Sequence, residues 1–421
     1  MHRDGGDVHG LTPPPRTVRP GDEAIPMRIL LVGDYPRDPR LGSTKVLVKL
    51  QEEFRALGHP CDLLLADDLG PFPRNGHLRQ ALGPVIALMA VGRVFRERGP
   101  YDVVDIASAE GLWVAVLRRM GAFRRTAVVA RSNGLEHLNY RRMIGDHAEG
   151  LLYKPWTRRL FHPAVRLTQV AAAARAADRL LLLNDGDREF ALSHGWKRST
   201  DIDVVPHGVS SAFLLNPPPT DQVRGGGILF CGSWTEVKGV AYLAAAFARL
   251  IESGVNTALT VLGGNVPDDA ILSSFTAAAR AHITVIGRAG EAEVMAAYRR
   301  HDVLACPSTY EGFGMVVIEA MSQRLPVIAT PVGCARTLVV HDETGLVVPV
   351  RDPRALASAL ACILNDAPLR ARLADAASAR VRGMTWTSTA EQTLAAYARA
   401  LDRHGLLRHS STARRSAVGP S

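Results

Sequence analysis

Short, nearly continuous apolar runs alternate along the chain with longer stretches in which apolar positions recur at helical spacing. The first set of runs is RILLVG (28–33), CDLLLA (61–66), DVVDIA (102–107), TAVVAR (126–131), RLLLLN (179–184) and DVVPHGV (203–209). The pattern then restarts with GILFCG (227–232), ALTVLGG (258–264), HITVIG (282–287), DVLACPS (302–308), PVIAT (326–330) and GLVVP (345–349). Runs of this kind, bounded by turn residues, suit strands of parallel sheets whose faces are both covered by helices. Helices are predicted between them, for example over 44–57 and 165–177, with a closing helix over 388–402. The segment NPPPTDQVRGGG (216–227) fits neither regular element, because its prolines and glycines interrupt both. The expected architecture is therefore α/β, with two doubly wound, Rossmann-like domains facing across a cleft. Residues 27–215 form the first domain, 216–226 the linker, 227–387 the second domain and 388–402 the closing helix. In such sheets ligands bind beyond the carboxyl ends of the strands, so the loops there are where chemistry is sought.

Residues 1–26 carry Pro13, Pro14, Pro15, Pro20 and Pro26 among charged and glycine positions. They read as a disordered leader, and Met27, at the head of the first strand, is an alternative start. Residues 403–421 read as a disordered tail. The length of 421 residues, with 47% hydrophobic and 22% charged, suits two globular domains. No apolar run approaches the roughly 20 residues of a membrane-spanning helix; the longest, 85–91, is far shorter, so an integral membrane protein is not expected.

Charge and cysteines narrow the classes further. The five cysteines, at 61, 231, 306, 334 and 362, show neither zinc-ligand nor disulfide-framework spacing, which fits a reducing, cytoplasmic setting. The formal charge is +9, and between residues 116 and 166 eleven Lys and Arg face three acids. That segment reads as a solvated basic face, as a contact for an anionic membrane surface at the inner face of the membrane, or as a contact for a phosphorylated substrate. No nucleic acid partner is expected, because aromatics do not interleave with the arginines.

The chemistry concentrates in ACPSTYEGFGMVVIEAMSQRLPVIATPVG (305–333). Gly312 and Gly314 place Glu311 in a loop after a strand, whereas MVVIEAMSQR has helical spacing and puts Glu319 in the second turn. Loop glycines let backbone approach a ligand closely, and the N–H groups of Gly314, Met315 and Val316, at a helix start, favour an anion such as a diphosphate. Glu311 and Glu319 can then accept hydrogen bonds from hydroxyls, which sugars and riboses present.

PSTYEGFGMVVIEAMSQRLPVIAT closely resembles the signature of glycosyltransferase family 4 (glycosyl transferases group 1), the retaining family with the GT-B fold. The resemblance covers about residues 27–401. It implies that Glu311 contacts the transferred sugar and Glu319 the nucleotide ribose, with Gly312 and Phe313 in the donor loop. FCGSWTEVKG (230–239) resembles the loop that carries an arginine and a lysine onto the donor diphosphate: Gly232 and Lys238 match, but Ser233 stands where the arginine belongs. Serine brings a hydrogen bond and no charge, so the site is expected to be undercharged unless Arg288 or Arg37 compensates. Gly42 matches the glycine that approaches the donor phosphate from the first domain, and VIGRAG, with Ile286 and Arg288, matches the base-contacting loop. ARSNGLEH resembles the acceptor-side segment, with Asn133 at the usual histidine and Glu136 beside it; an amide hydrogen-bonds a hydroxyl but does not titrate. His207, in the strand entering the hinge, is expected to pack.

The implied activity is a hexosyltransferase-type, retaining transfer from a nucleoside diphosphate sugar to a glycan, lipid or small-molecule acceptor. Lys238 and Glu311 are the catalytic candidates, and the leaving phosphate helps to deprotonate the acceptor. No cofactor beyond the donor substrate and no metal is expected. The Asp-x-Asp at 201–203 precedes a strand instead of ending one, so its carboxylates are predicted to face solvent. The alternative reading is a non-catalytic nucleotide-sugar-binding homologue, suggested by Ser233 and Asn133. A sugar phosphorylase lacks support, because no lysine context for pyridoxal phosphate is found.

Overall fold

The computed structural model describes residues 26–406 apart from 39, 151–155 and 220–221. The expected leader up to residue 25 and the tail beyond 406 lie outside the described residues, as do Lys154 and the side chain of Arg158.

Every predicted apolar run contains or overlaps a strand. The first sheet comprises β1 (Ile29–Val32), β2 (Cys61–Leu64), β3 (Val103–Ala107), β4 (Ala127–Arg131), β5 (Arg179–Leu182) and β6 (Ile202–Val204). The second comprises β7 (Ile228–Cys231), β8 (Leu259–Leu262), β9 (Ile283–Ile286), β10 (Val303–Cys306), β11 (Val327–Ala329) and β12 (Leu346–Val347). All strand pairs are parallel, for example Ile29 opposite Val103 and Ile228 opposite Val303. The spatial orders are β2-β1-β3-β4-β5-β6 and β12-β11-β10-β7-β8-β9. In the second sheet the chain winds outward from β7 to β9, then returns to continue from β10 on the other side. The crevice at β7 and β10 is thus its switch point, the place where such sheets bind ligands. The run at 203–209 differs from its prediction: the strand begins at Ile202 and ends at Val204, shortly before Pro206, which has no N–H to donate.

The helices that matter below are α1 (Gly42–Ala56), α2 (Gly76–Arg98), α3 (Leu112–Arg119), α4 (Thr168–Ala176), α5 (Met315–Ser322) and α6 (Trp386–Asp402). Helix α1 buries Val46, Leu47, Leu50 and Phe54, one stripe at helical spacing. With α6 it covers the face of the first sheet that carries Ile29, Leu31, Val103 and Val129. Helices α2, α3 and α4 cover the opposite face, against Leu30, Val32, Val104, Ile106 and Val128. The closing helix thus follows the second sheet in sequence but packs on the first. The chain crosses between the halves at two places, and these are bonded to each other: Val209 N–H donates to Met384 O at 2.8 Å. A Cβ on Gly208 would lie 2.4 Å from the Thr385 carbonyl carbon, so the two crossings touch backbone to backbone.

Helix α2 is not among the predicted helices. It is long and apolar enough to cross a membrane by length and composition. Its Ile86, Ala87, Ala90, Val91 and Val94 nevertheless pack on the first sheet. The side chain of Asn75 caps it, accepting from His77 N–H at 2.9 Å and Leu78 N–H at 3.2 Å.

The basic segment is not the uniformly solvated face that its sequence suggests. Arg131 and Asp105 form a fully buried ion pair at 2.6 Å, each side chain 1% exposed, and the Tyr397 hydroxyl of α6 bonds to the same carboxylate. Arg166 bridges Glu110 at 2.6 Å and Glu136 at 3.0 Å. Arg118 donates to Thr126 O, Arg119 to Ala176 O, and Arg142 pairs with Asp146. Arg124, Arg125 and Arg141 remain exposed. The Asp-x-Asp prediction is also corrected. Asp201 is buried and pairs with Arg198 and Arg403, while Asp203 is held by Arg179 and Arg399. These carboxylates tie β6 to β5 and α6. Arg224 in the linker donates to five carbonyls, of Tyr298, Arg299, His301, Gln323 and Arg324, and so pins that segment to the second half.

Candidate active site

A cleft of about 600 Å³ opens at the carboxyl ends of both sheets, and most of the predicted donor-site residues line it. From the second half come Gly232, Ser233, Lys238, Arg288 and the run from Glu311 to Val316, with Glu319; from the first come Gly42 and Asn133. Ile286 and Glu136 do not line it. Ile286 ends β9 and is 41% exposed, and Glu136 is turned toward Ser108 and Arg166.

Local structure explains the arrangement. After β7 a single 3-10 turn, Glu236–Lys238, aims Lys238 at the loop following β10. Its Nζ donates to Glu311 Oε1 at 2.6 Å, and Ser308 Oγ donates to the same oxygen at 2.8 Å. Burial opposes the charge on Lys238, but Glu311 overrides it and holds the ammonium above its ordinary range. The two residues expected to handle the sugar and the diphosphate therefore neutralise each other in the free protein. Gly314 caps α5 with φ 92°, leaving the N-terminus of that helix facing the cleft.

Glu319 is 6% exposed and takes two partners: Lys45 Nζ at 2.9 Å and the Tyr298 hydroxyl at 3.2 Å. Lys45 also meets Glu291 at 3.2 Å. This lysine, in the first turn of α1, is a cleft residue that sequence reasoning missed. Gly42, three positions earlier, was the available signal. Arg40 and Lys49 line the same cleft. The cationic side chains of the cleft have acidic partners: Lys238 pairs with Glu311, Lys45 with Glu319 and Glu291, and Arg40 with Asp38. Ser233 is flanked by a cleft that holds Arg40, Lys45, Lys238 and Arg288, and of these Arg288 is held only by Asp38 at 3.4 Å. Arg37, the other candidate, points elsewhere, pairing with Asp68 at 2.5 Å. Replacing Ser233 by arginine should tighten nucleoside diphosphate binding by about tenfold or more, less so at high salt; unchanged affinity by calorimetric titration would show that Arg288 already supplies the charge.

The halves meet at two glycines. A Cβ on Gly312 would lie 2.1 Å from Asn133 O, and one on Gly134 2.6 Å from the Gly312 Cα, so no side chain fits at either position. Asn184 Nδ2 donates to Gly312 O at 2.9 Å and Tyr310 Oη to Leu135 O at 3.0 Å across the same seam. Asn133 donates to the Tyr35 hydroxyl at 3.1 Å, while its Oδ1 is buried with no hydrogen-bond partner among the described residues. His207 is buried, edge-on to Phe313 and stacked on Trp386, and burial pushes its imidazole down to about 3, so it packs as expected.

Beside this seam Asp187 is 2% exposed, and burial pushes its carboxyl up to about 7. Its folded value lies above the unfolded one, so its contribution favours the fold below the unfolded carboxylate range and is lost as pH rises through about 7. Asp187→Asn should therefore raise Tm by a few degrees at alkaline pH and leave it little changed in acid. A gap independent of pH, read by calorimetry, contradicts the assignment.

Residues 225–380, the half holding Lys238, Glu311 and Glu319, match the model of glycosyl transferases group 1. Those residues form a glycosyl transferases group 1 domain. The D-inositol 3-phosphate glycosyltransferase of Kineococcus radiotolerans is 31% identical over 265 residues, 57% of this chain and 61% of that protein. The phosphatidyl-myo-inositol mannosyltransferase of Mycolicibacterium smegmatis is 30% identical over 202 residues, 47% of this chain and 52% of that protein. The chain thus spans about half to three fifths of the length of these relatives. Among solved structures, sucrose-phosphate synthase of Thermosynechococcus elongatus matches with TM-score 0.72 at 21% identity, over 90% of this chain and all of that one. HepE of Anabaena, solved with UDP and glucose, matches with TM-score 0.63 at 17% identity, over 88% and 98% of the two chains. The two-sheet architecture is the GT-B fold.

Proposed function

We propose that this chain is a retaining glycosyltransferase that moves a sugar from a nucleoside diphosphate donor to a hydroxyl of an acceptor held against the first domain. The observation that carries the reading is the Lys238–Glu311 pair at the β7/β10 switch point, with Glu319 in the second turn of the following helix. When a donor enters, Lys238 exchanges Glu311 for the diphosphate, and Glu311 is freed to accept from sugar hydroxyls. Lys45 gives way to the ribose hydroxyls at Glu319. The bond from the anomeric carbon to the diphosphate breaks as the bond to the acceptor oxygen forms on the same face, and the acceptor proton passes to the leaving phosphate. Lys238, Arg288 and the N-terminus of α5 stabilise the departing charge. The names of the relatives suggest a polyol phosphate or lipid-linked polyol acceptor, and the cytoplasm is the compartment that supplies nucleotide sugars.

The test is a panel of nucleoside diphosphate sugars incubated with the protein, first without acceptor. Slow release of the diphosphate from at least one donor, with retention at the anomeric carbon in the transfer product by NMR, is the expected result. Donor binding without turnover would leave the non-catalytic reading suggested by Ser233 and Asn133; no donor binding would remove both. Lys238→Ala should weaken nucleoside diphosphate binding by about tenfold and nucleoside binding little, since a charge-assisted contact is lost only to the phosphates. Equal losses would show that Lys238 does not meet them.

A further inference from the structure

Helix α2 is buried along one side only. Leu78, Leu82, Val85 and Met89 are 53%, 43%, 38% and 60% exposed, and their spacing of four, three and four residues puts them in one stripe. Only 39% of the most apolar stretch of this helix is buried. The neighbouring α3 adds to it: Trp113 within the helix and Met120 at its C-terminal cap, seven residues apart, are 41% and 77% exposed. Both helices pack on the same face of the first sheet and touch each other, so these exposed apolar side chains belong to one outer layer. Leu160, 64% exposed, joins them near the start of α2, where the neighbouring Phe161 packs edge-on against His77 at 4.4 Å. Isolated exposed apolar residues need no explanation, but such a group on adjacent helices does.

The charges around this layer are mostly positive, although Arg98 is paired with Asp62 at 3.1 Å and Arg79 with Asp34 at 2.7 Å. Along the α2 stripe, Arg96 follows Met89 by seven residues and is exposed; Arg93 and Arg98 are exposed beside it, and Arg74 and Arg79 flank the start of the helix. Beyond α3 come the exposed Arg119, Arg124 and Arg125. Glu97 is the exposed acid among the α2 and α3 residues, since Glu110 is buried against Arg166. An apolar strip edged by arginines complements the surface of an anionic bilayer, which offers acyl chains beneath a layer of negative headgroups.

We propose that the α2–α3 face docks this protein onto an anionic lipid surface. The apolar side chains enter the acyl boundary and the arginine rim meets the headgroups. Docking does not depend on the chemistry proposed for the cleft, but it sets its geometry. The start of α2 lies at the cleft end of the first sheet, where Arg79 pairs with Asp34, just beyond β1, at 2.7 Å. A membrane-held acceptor would therefore reach the acceptor side of the cleft along the Leu78 end of the helix.

The experiment is flotation of the purified full chain with phosphatidylcholine vesicles, with and without about 30% phosphatidylglycerol. Binding to the anionic vesicles, weakened by salt, is expected. Leu82→Gln combined with Met89→Gln should reduce it about tenfold, and Arg96→Gln combined with Arg125→Gln should lower it and flatten its salt dependence. Thermal melting and nucleoside diphosphate binding should be unchanged in both variants, which separates lost docking from lost folding and keeps the test apart from that of the cleft. Quenching of Trp113 by brominated lipid, lost in Trp113→Phe, should place α3 at the acyl boundary. Three outcomes overturn the proposal: no vesicle binding, equal binding to neutral and anionic vesicles, or a solution dimer that Met89→Gln dissociates, which would make this face a contact between copies.

Discussion

Replacing Glu311 with glutamine should lower sugar transfer by roughly tenfold to a hundredfold while nucleoside diphosphate binding holds or tightens. The sign of the second effect comes from the free structure, in which Glu311 neutralises Lys238 at 2.6 Å. The glutamine amide still reaches a sugar hydroxyl, but without the charge that makes such a bond worth about 1.5–3 kcal/mol. Lys238, relieved of its counterion, meets an incoming diphosphate without first breaking an ion pair. Turnover should therefore fall while donor affinity does not, a split that general unfolding of the site cannot produce. Wild-type turnover in the variant, or parallel loss of binding and turnover with an unchanged melting curve, would remove Glu311 from the chemistry.

Asp105→Ala should be the most damaging single change to stability, costing about 3–5 kcal/mol. The carboxylate is the buried partner of Arg131, and both side chains are 1% exposed. Truncating it leaves a guanidinium uncompensated beneath α6, where water does not reach, and also orphans the Tyr397 hydroxyl. Asp105→Ala paired with Arg131→Leu should recover much of the loss, because removing both charges removes the desolvation penalty with them. Denaturant titration of the single and double variants measures the coupling. Additive losses would show that the pair is not the cause.

The strands were legible because each lies between two helical layers and so carries an uninterrupted apolar run, such as Leu180–Leu182 in β5 or Val303–Ala305 in β10. Helix α2 was not, for the opposite reason: apolar residues on both its buried and exposed sides erase the one-sided period by which a surface helix is recognised. Local residues around Glu311 specify their own loop and helix, and the structure brings Lys238 to that loop. Lys45 gave no such signal, since its partner Glu319 lies 274 residues away and only the facing of the two sheets joins them. The arginines of 116–166 misled because charge in a sequence says nothing of where the counter-charge will be. Arg131 and Arg166 are answered by Asp105, Glu110 and Glu136 from other elements.

The return of α6 to the first sheet gathers the two covalent links between the halves into one double strap. Both chain crossings run side by side at Val209 and Met384, held by a backbone hydrogen bond, with Gly208 pressed against Thr385 where no side chain fits. A protein tethered by one flexible strap could let its halves tumble; two straps fastened together permit a swing about one line. A swing about that line would part Lys45 from Glu319 and Arg288 from Asp38, and with them the seam contacts of Asn184 with Gly312 and Tyr310 with Leu135. The strap that would confine such a swing reaches the cleft wall itself, since His207, next to Gly208, lines the cleft and packs edge-on to Phe313.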